Sequence, residues 1–295
     1  MPDALLVVDG DDPGAVLLGA ALRRHGWRLR HLDLRHGRPT LDGSGAEPVV
    51  RLDGAAVTPE LVLNRTATSR LGLAPGTALA RQLPATWWAR HLAAREEQGL
   101  LLACFDLWER TSRLYDPVAA HDRRLLRAAV AAELHAAGLP IGAPGDPGDP
   151  DGAGRDDGAG RDGGGGQDRR GGRQGAAWIV DGVVVAAVTR VGDRPWRATP
   201  LSPATEDRLR RTAAIAGLRL GQLDLWQTRG GATAVTGWHP APAFRIVEQR
   251  TGIPVAALVV AALVGAEGGP AAAPPFLADD LEANVLRVST QGLPG

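Results

Sequence analysis

The chain opens with an unbroken apolar run, Ala4 to Val8, closed by Asp9-Gly10-Asp11-Asp12-Pro13-Gly14. A short apolar run bounded by turn residues predicts a strand buried on both faces, the form that strands take in parallel sheets. Asp12 and Pro13 suit the N-cap and first position of a helix. Apolar residues at helical spacing continue from Ala15 to His25, and Gly26 suits the C-cap. Arg28 to Leu34 predicts a second strand. Val49 to Leu52, a turn at Asp53-Gly54 and Val57 predict a hairpin, and Leu61-Val62-Leu63 another buried strand ending at Asn64-Arg65. Residues 1–70 thus predict an open sheet of βα type. Ala78 to Trp108 is mainly helical in pattern, and a further helix is expected from Val118 to Ala137.

The pattern then stops. Of the 31 residues from 145 to 175, 13 are glycine, and none is an apolar residue larger than alanine or proline. Such a stretch buries too little surface to offset chain entropy and predicts a disordered linker. Order resumes at Trp178, with a hairpin turning at Asp181-Gly182. Leu201 to Leu218 predicts a helix capped by Ser202, with Glu206 in its first turn. Gly221 to Pro242 predicts a second hairpin, one strand holding Asp224, a turn at Gly230-Gly231, and a partner strand ending in His239-Pro240-Ala241-Pro242. Ala243 to Arg250 and Ile253 to Val264 predict two more helices, and a short one is expected around Leu277 to Leu286 in a loose tail. The expected organisation is an N-terminal βα domain over 1–115, a second domain from 116–142 and 177–265, a linker at 143–176, and a tail at 266–295.

Composition narrows the chemistry. All 33 basic residues are arginine and formal net charge is zero, so no lysine nucleophile, Schiff base or P-loop lysine exists here. No basic stripe interleaved with aromatics favours nucleic acid. The single cysteine, Cys104, excludes an internal disulfide and lies in an apolar run that predicts a buried thiol. The N-terminus lacks a signal-peptide pattern, and the longest apolar stretch is too short to span a bilayer. A cytoplasmic protein without membrane partners is expected, and an oligomer of identical chains stays open.

The 221–242 hairpin resembles that of the ATP-grasp ligases, particularly their RimK-like and glutathione-synthetase-like branch. There the first strand reads like Gly-Val-Asp-Leu and the second ends in Glu-Val-Asn-Pro-x-Pro. Here Gly221 to Leu225 and Pro240-Ala241-Pro242 match, Gly237 stands in place of the metal-binding Glu, and His239 in place of the Asn. Further matches are Gly138-Leu139-Pro140-Ile141 after the 118–137 helix, and Val183 to Arg190 followed by Trp196-Arg197-Ala198-Thr199, where the family has Trp-Arg-x-Asn. The closing Phe244 to Ala256 segment matches too. The resemblance covers residues 116–142 and 177–264, and 1–115 only in general architecture. It implies an α/β (α+β) ATP-grasp-like fold, an open βα sheet domain followed by a reduced grasp domain.

By the same resemblance, Asp224, and in its altered form His239, would face Mg²⁺, Arg190 and Arg197 a phosphate or substrate carboxylate, and Arg123 or Arg124 would hold the family's helix-lysine position, with Arg124 toward the nucleotide. The implied cofactors are ATP and Mg²⁺. The implied partners are a small-molecule or peptide carboxylate, or a partner ligase subunit. The residues themselves leave plainer readings open. Asp224 suits a solvated or arginine-paired carboxylate, Arg190 and Arg197 suit surface ion pairs, and His239 suits a structural place beside two prolines. The Asp9 to Gly14 carboxylates suit helix capping or a bound cation. Arg95, Glu96 and Glu97 suit a solvated helix face, and Trp87-Trp88 suits core or interface packing. With no lysine, no Glu-x-Asn pair and a linker where the nucleotide lid belongs, a degenerate binding or partner subunit is expected, a pseudoenzyme. An active carboxylate–amine ligase working through an acyl phosphate is the alternative, and an unrelated α/β binding protein a third.

Overall fold

The computed structural model describes residues 1–45, 47–66, 87–115, 118–139, 141–142, 172–192, 194–227 and 233–265, without the side chains of residues 87–91. The apolar start forms β1 (Asp3–Val8), followed by α1 (Pro13–Arg24) and β2 (Arg28–Asp33). Asp12 is the N-cap, its side chain accepting from the Gly14 amide at 2.8 Å. Then come β3 (Pro39–Asp42), β4 (Val49–Leu52), β5 (Ala55–Ala56), β6 (Leu61–Asn64), α2 (Trp87–Thr111) and β7 (Arg113–Tyr115). Strands β2-β1-β6-β7 form one sheet, parallel throughout. The predicted hairpin is β4–β5, and β3 completes a separate three-stranded sheet with it.

Where one helix is expected from Val118 to Ala137, two stand: α3 (Val118–Leu125) and α4 (Arg127–Ala136). The chain turns at Leu126 between them, and Leu125 and Leu126 are both exposed. The remaining elements are β8 (Arg173–Val180), β9 (Val183–Arg190), β10 (Arg197–Ala198), α5 (Pro203–Ile215), β11 (Leu220–Gln227), β12 (Thr233–His239), α6 (Phe244–Thr251) and α7 (Val255–Gly265). Strands β10-β9-β8-β11-β12 form an antiparallel sheet. Ser202 caps α5, accepting from Thr205.

The expected linker lies outside the described residues up to 171, but its last four residues are strand. Arg173, Gln174, Gly175 and Ala176 pair with Gln227, Trp226, Leu225 and Asp224. Backbone pairing decides this, and glycine fits at 175 because a Cβ there would stand 2.9 Å from the Val188 carbonyl oxygen. The part of the expected helix over residues 78–86, the Gly230-Gly231 turn and the tail from 266 also lie outside the described residues, as do the packing of Trp87-Trp88 and the helix at Leu277 to Leu286.

Strand alternation sorts side chains into layers. Leu5, Val7, Val62 and Leu114 face α2, where Cys104, Phe105 and Trp108 are buried. Leu6, Leu63 and Tyr115 face the other way, onto α1 and α7, and the same cluster takes in Ala176, Trp178 and Val188 from the antiparallel sheet. Ala177, Ile179, Leu223 and Leu225 face α4 and α5. The α7 sequence, VAALVVAALVG, has no polar side chain, as suits a helix packed between two sheets. Glu248 of α6 accepts the Ala256 amide at 2.7 Å, satisfying one of the donors at the start of α7. Among the described residues no single helix is long and apolar enough to cross a membrane.

Three arginines tie the two sheets together. Arg65 donates to the Pro242 carbonyl at 2.9 Å, Arg113 to the Leu263 carbonyl at 3.1 Å, and Arg219 to the Leu114 carbonyl at 3.2 Å. Tyr115 donates to Asp181 at the β8–β9 turn, and Arg219 also pairs with Asp181 at 3.0 Å. Asp181 adopts φ 44° and Gly182 φ 78°, the left-handed backbone that such a two-residue turn requires.

Candidate functional site

Antiparallel register gathers the candidate residues. Asp224 lies opposite Gly237 on β12 and opposite Ala176 on β8. Register then slips by one residue: Leu225 pairs with Val235, leaving Thr236 as the extra residue of a β-bulge. The Thr236 carbonyl accepts from Arg127 at the start of α4, at 2.9 Å, and the Arg127 guanidinium lies 5.8 Å from the centre of the Trp238 ring.

Both oxygens of Asp224 are engaged. His239 Nε2 stands 2.7 Å from Oδ2, and Gln222 Nε2 donates to Oδ1 at 2.7 Å. The pair is about one-third open to solvent, 36% for Asp224 and 38% for His239. Burial pushes the Asp224 carboxyl up, but the hydrogen bonds from His239 and Gln222, with the charges of His239 and Arg127, bring it below the ordinary carboxylate value. The expected arginine pairing or solvation of Asp224 gives way to a histidine partner, and His239 is the partner of a carboxylate as well as the neighbour of Pro240.

Arg190 shares this face, because it pairs across β8 with Gln174, which lies opposite Trp226. Its Nε and Nη2 donate to Gln174 Oε1 at 3.0 and 2.7 Å, and its guanidinium sits 5.0 Å from the centre of the Trp196 ring. Its partners are thus an amide and an indole rather than the expected surface carboxylate. Arg197 pairs with Thr189, one residue along, so the register assigns it to the opposite face. Thr199 follows it there, its hydroxyl 2.7 Å from that of Thr189. The two arginines that the resemblance aligns are therefore not brought together.

Arg124 is exposed at the end of α3, and its charge is felt by His121. Arg123 pairs with Glu133. The arginine whose charge reaches Asp224 is Arg127, which sequence reasoning missed because its contact spans 109 residues of chain. Gln222 was missed too, although two residues apart on a strand already implies a shared face. The Asp9 to Gly14 loop is arginine-bound rather than open to a cation: Asp11 and Asp33 hold Arg35 at 3.0 and 2.8 Å, and Asp12 holds Arg65 at 2.8 Å. Arg95 and Glu96 are exposed as expected, whereas Glu97 is largely covered and pairs with Arg38 at 3.2 Å. Cys104 is buried, its thiol pushed up to about 12 by that burial.

No protein-family profile matches the chain, and comparison with curated proteins returns no match. Solved structures do match. The ligase PsnB, complexed with minimal precursor, Mg and ADP, aligns at TM-score 0.65 and 22% identity over 88% of this chain and 96% of its own. The macrocyclase MdnC from Microcystis aeruginosa, bound with precursor peptide MdnA, aligns at 0.63 and 14% over 89% and 99%. A RiPP-associated ligase from Chryseobacterium gregarium, in complex with ADP and a leader and core peptide, aligns at 0.64 and 10% over 92% and 98%. This chain has the ATP-grasp fold. Its mixture of a parallel and an antiparallel sheet is the architecture that the resemblance implied.

Within the ATP-grasp hairpin the donors can be tested against Mg²⁺, which prefers hard oxygen ligands in near-octahedral order. Asp224 is one carboxylate, with both oxygens already in hydrogen bonds. Opposite it, glycine at 237 offers no donor at all; a Cβ there would stand 3.2 Å from Asp224 Oδ2. Among the described residues no three His, Cys, Asp or Glu side chains come together to hold a metal. These residues do not fit a magnesium–nucleotide centre.

Proposed function

We propose that this protein keeps the ATP-grasp fold to bind a carboxylate-bearing ligand, a peptide or a small molecule, and acts as a binding or partner subunit without an Mg²⁺–ATP centre of its own. A single observation carries the reading: glycine faces Asp224 across the hairpin, and a histidine and a glutamine occupy the carboxylate. Phosphoryl transfer from ATP needs cations and metal placed against the phosphates. The face of β8, β9, β11 and β12 offers Arg190 and, through Arg127, a positive field, but one bound carboxylate where a metal is wanted. Arginine with its planar fork suits carboxylates well, so the same face is better matched to a ligand that carries one. The solved neighbours named with precursor peptides support a peptide as that ligand.

Titration calorimetry with ATP and with ADP, each with and without Mg²⁺, tests the reading. The expected result is no Mg²⁺-dependent heat, and the same null trace for Asp224→Ala. Micromolar binding that requires Mg²⁺ and disappears in Asp224→Ala would establish the active carboxylate–amine ligase instead.

A further inference from the structure

The carboxyl ends of β6 and β7 place two buried side chains whose hydrogen-bonding capacity is not used up. Arg65 follows β6 directly, and its side chain is 3% exposed. Its Nε donates to Asp12 Oδ2 at 2.8 Å, its Nη2 to Pro242 O at 2.9 Å and to Asp12 Oδ1 at 3.3 Å, and the guanidinium lies 5.3 Å from the centre of the Phe244 ring. Its Nη1 is buried and has no partner. His121 stands in the first turn of α3, the helix that follows β7, and is 4% exposed. Its Nε2 is also buried and without a partner. Because β6 and β7 are parallel with Leu63 level with Tyr115, both residues emerge at the same end of the sheet. Burial, then the charges of Arg124 and Arg65, hold the imidazole neutral by lowering it to about 4, against the opposing pull of Asp122.

A buried polar atom left unsatisfied costs about 1–3 kcal/mol, so two at the same end of one sheet call for a use. A guanidinium N–H is a donor, and a neutral imidazole carrying its proton on Nε2 is a donor too; in that tautomer what the two lack is an acceptor. Asp12 already neutralises much of the Arg65 charge, which suits a singly charged carboxylate better than a doubly charged phosphate. The carboxyl ends of parallel strands are also where open α/β sheets receive ligands. We propose that Arg65 Nη1 and His121 Nε2 form a subsite that accepts the carboxylate of the bound ligand. This rests on the reading above that the protein holds a carboxylate-bearing ligand, and it adds a carboxylate anchor at the β6–β7 ends, in addition to the Arg190 face.

The test uses the full chain without nucleotide or Mg²⁺, at constant ionic strength, titrated separately with acetate, with a blocked tripeptide containing one glutamate, and with inorganic phosphate. The imidazole ¹⁵N resonances and the backbone amide of Thr66 are followed by NMR. The expected result is a saturable shift of both signals with acetate and the tripeptide. His121→Phe, which keeps the ring volume and removes the donor, should weaken binding about tenfold or more, the loss expected for one hydrogen bond to a charged group. His121→Gln should restore most of it, and Arg65→Lys, which keeps the charge but not the fork, should weaken it independently. Tighter binding of the tripeptide would identify a peptide as the source of the carboxylate, and equal binding a small metabolite; either supports the subsite. No saturable shift with either carboxylate, an unchanged affinity in a folded His121→Phe, or saturation by phosphate alone would overturn it. Mg²⁺-dependent nucleotide binding in the calorimetry would sink the binding-subunit reading while leaving a positive carboxylate titration intact. A negative titration with no nucleotide binding would sink the subsite alone.

Discussion

At Gly237 the missing side chain matters as much as the carboxylate that faces it. Glycine leaves Asp224 with no second acid beside it, and His239 then takes the free oxygen. The replacement should be reversible. Gly237→Glu with His239→Asn restores an acid opposite Asp224 and removes the imidazole that occupies it. A Cβ at 237 would stand 3.2 Å from Asp224 Oδ2, so the Asp224 carboxylate must shift by a few tenths of an ångström to admit the new side chain. In the double variant Mg²⁺ should raise the thermal midpoint, whereas the parent should not respond. With Mg²⁺ at ten times its dissociation constant the gain is about 1.4 kcal/mol, or roughly 3 °C for a domain of this size. A parent protein that gains as much as the variant would show that the site never lost its metal. Much of this site was legible residue by residue: the substitutions at 237 and 239 stand in the sequence, and period-two alternation puts Gln222 beside Asp224. The bulge at Thr236 was not legible, and neither was Arg127, because nothing local marks a contact made across the fold.

Among the elements, α7 packs into the core that both sheets share. Val255, Val259, Val260 and Leu263 are all buried in the cluster shared by both sheets. Leu263→Ala should cost about 2–5 kcal/mol, measured by urea unfolding of the two proteins side by side. A loss within error of zero would mean that α7 is only loosely applied. Sequence patterning located most elements, though not β3, β7 or β10, because caps and turns are chemically explicit: Asp12-Pro13, Asp53-Gly54, Asp181-Gly182 and Ser202 each mark an end. It failed where the signal is carried by partners. β3 is four residues that begin with proline and gain their strand character from β4. The opening of β8, Arg173-Gln174-Gly175, reads as linker until β9 and β11 flank it. The two-helix break at Leu126 has neither proline nor glycine to announce it.

For the molecule as a whole, one core joins the parallel and antiparallel sheets, and Arg65, Arg113 and Arg219 cross between them. Acid should therefore unfold both sheets together, with tryptophan fluorescence and far-ultraviolet circular dichroism tracing one transition. His121 should set part of its position. Folding holds this imidazole neutral and lowers it to about 4, while an unfolded histidine titrates near 6.5. Its contribution is fully present above about pH 6.5 and is lost as pH falls toward 4, on the order of 3 kcal/mol in all. The thermal midpoint of the parent should fall more steeply across that window than that of His121→Phe, and parallel curves would show that His121 titrates normally. Below it, Asp12 and Asp224 add to the loss, since both titrate below ordinary carboxylates and their stabilisation survives only while they stay ionised.

The place of α7 also bears on how the protein is made. Residues 255–265 belong to the core cluster that also takes in α1 and β1, the strand built from residues 3–8. On the ribosome this core stays incomplete, with α1 in place but α7 missing, until the last of these helices has left the exit tunnel. Synthesis at about 5–20 residues per second makes that wait tens of seconds at the slower end. For that interval the cluster around Leu6, Leu63 and Tyr115 has α1 against it but lacks α7. The order of synthesis thus makes α7 the late piece of a core whose first strand is among the earliest residues made, and its arrival is the step that completes that core.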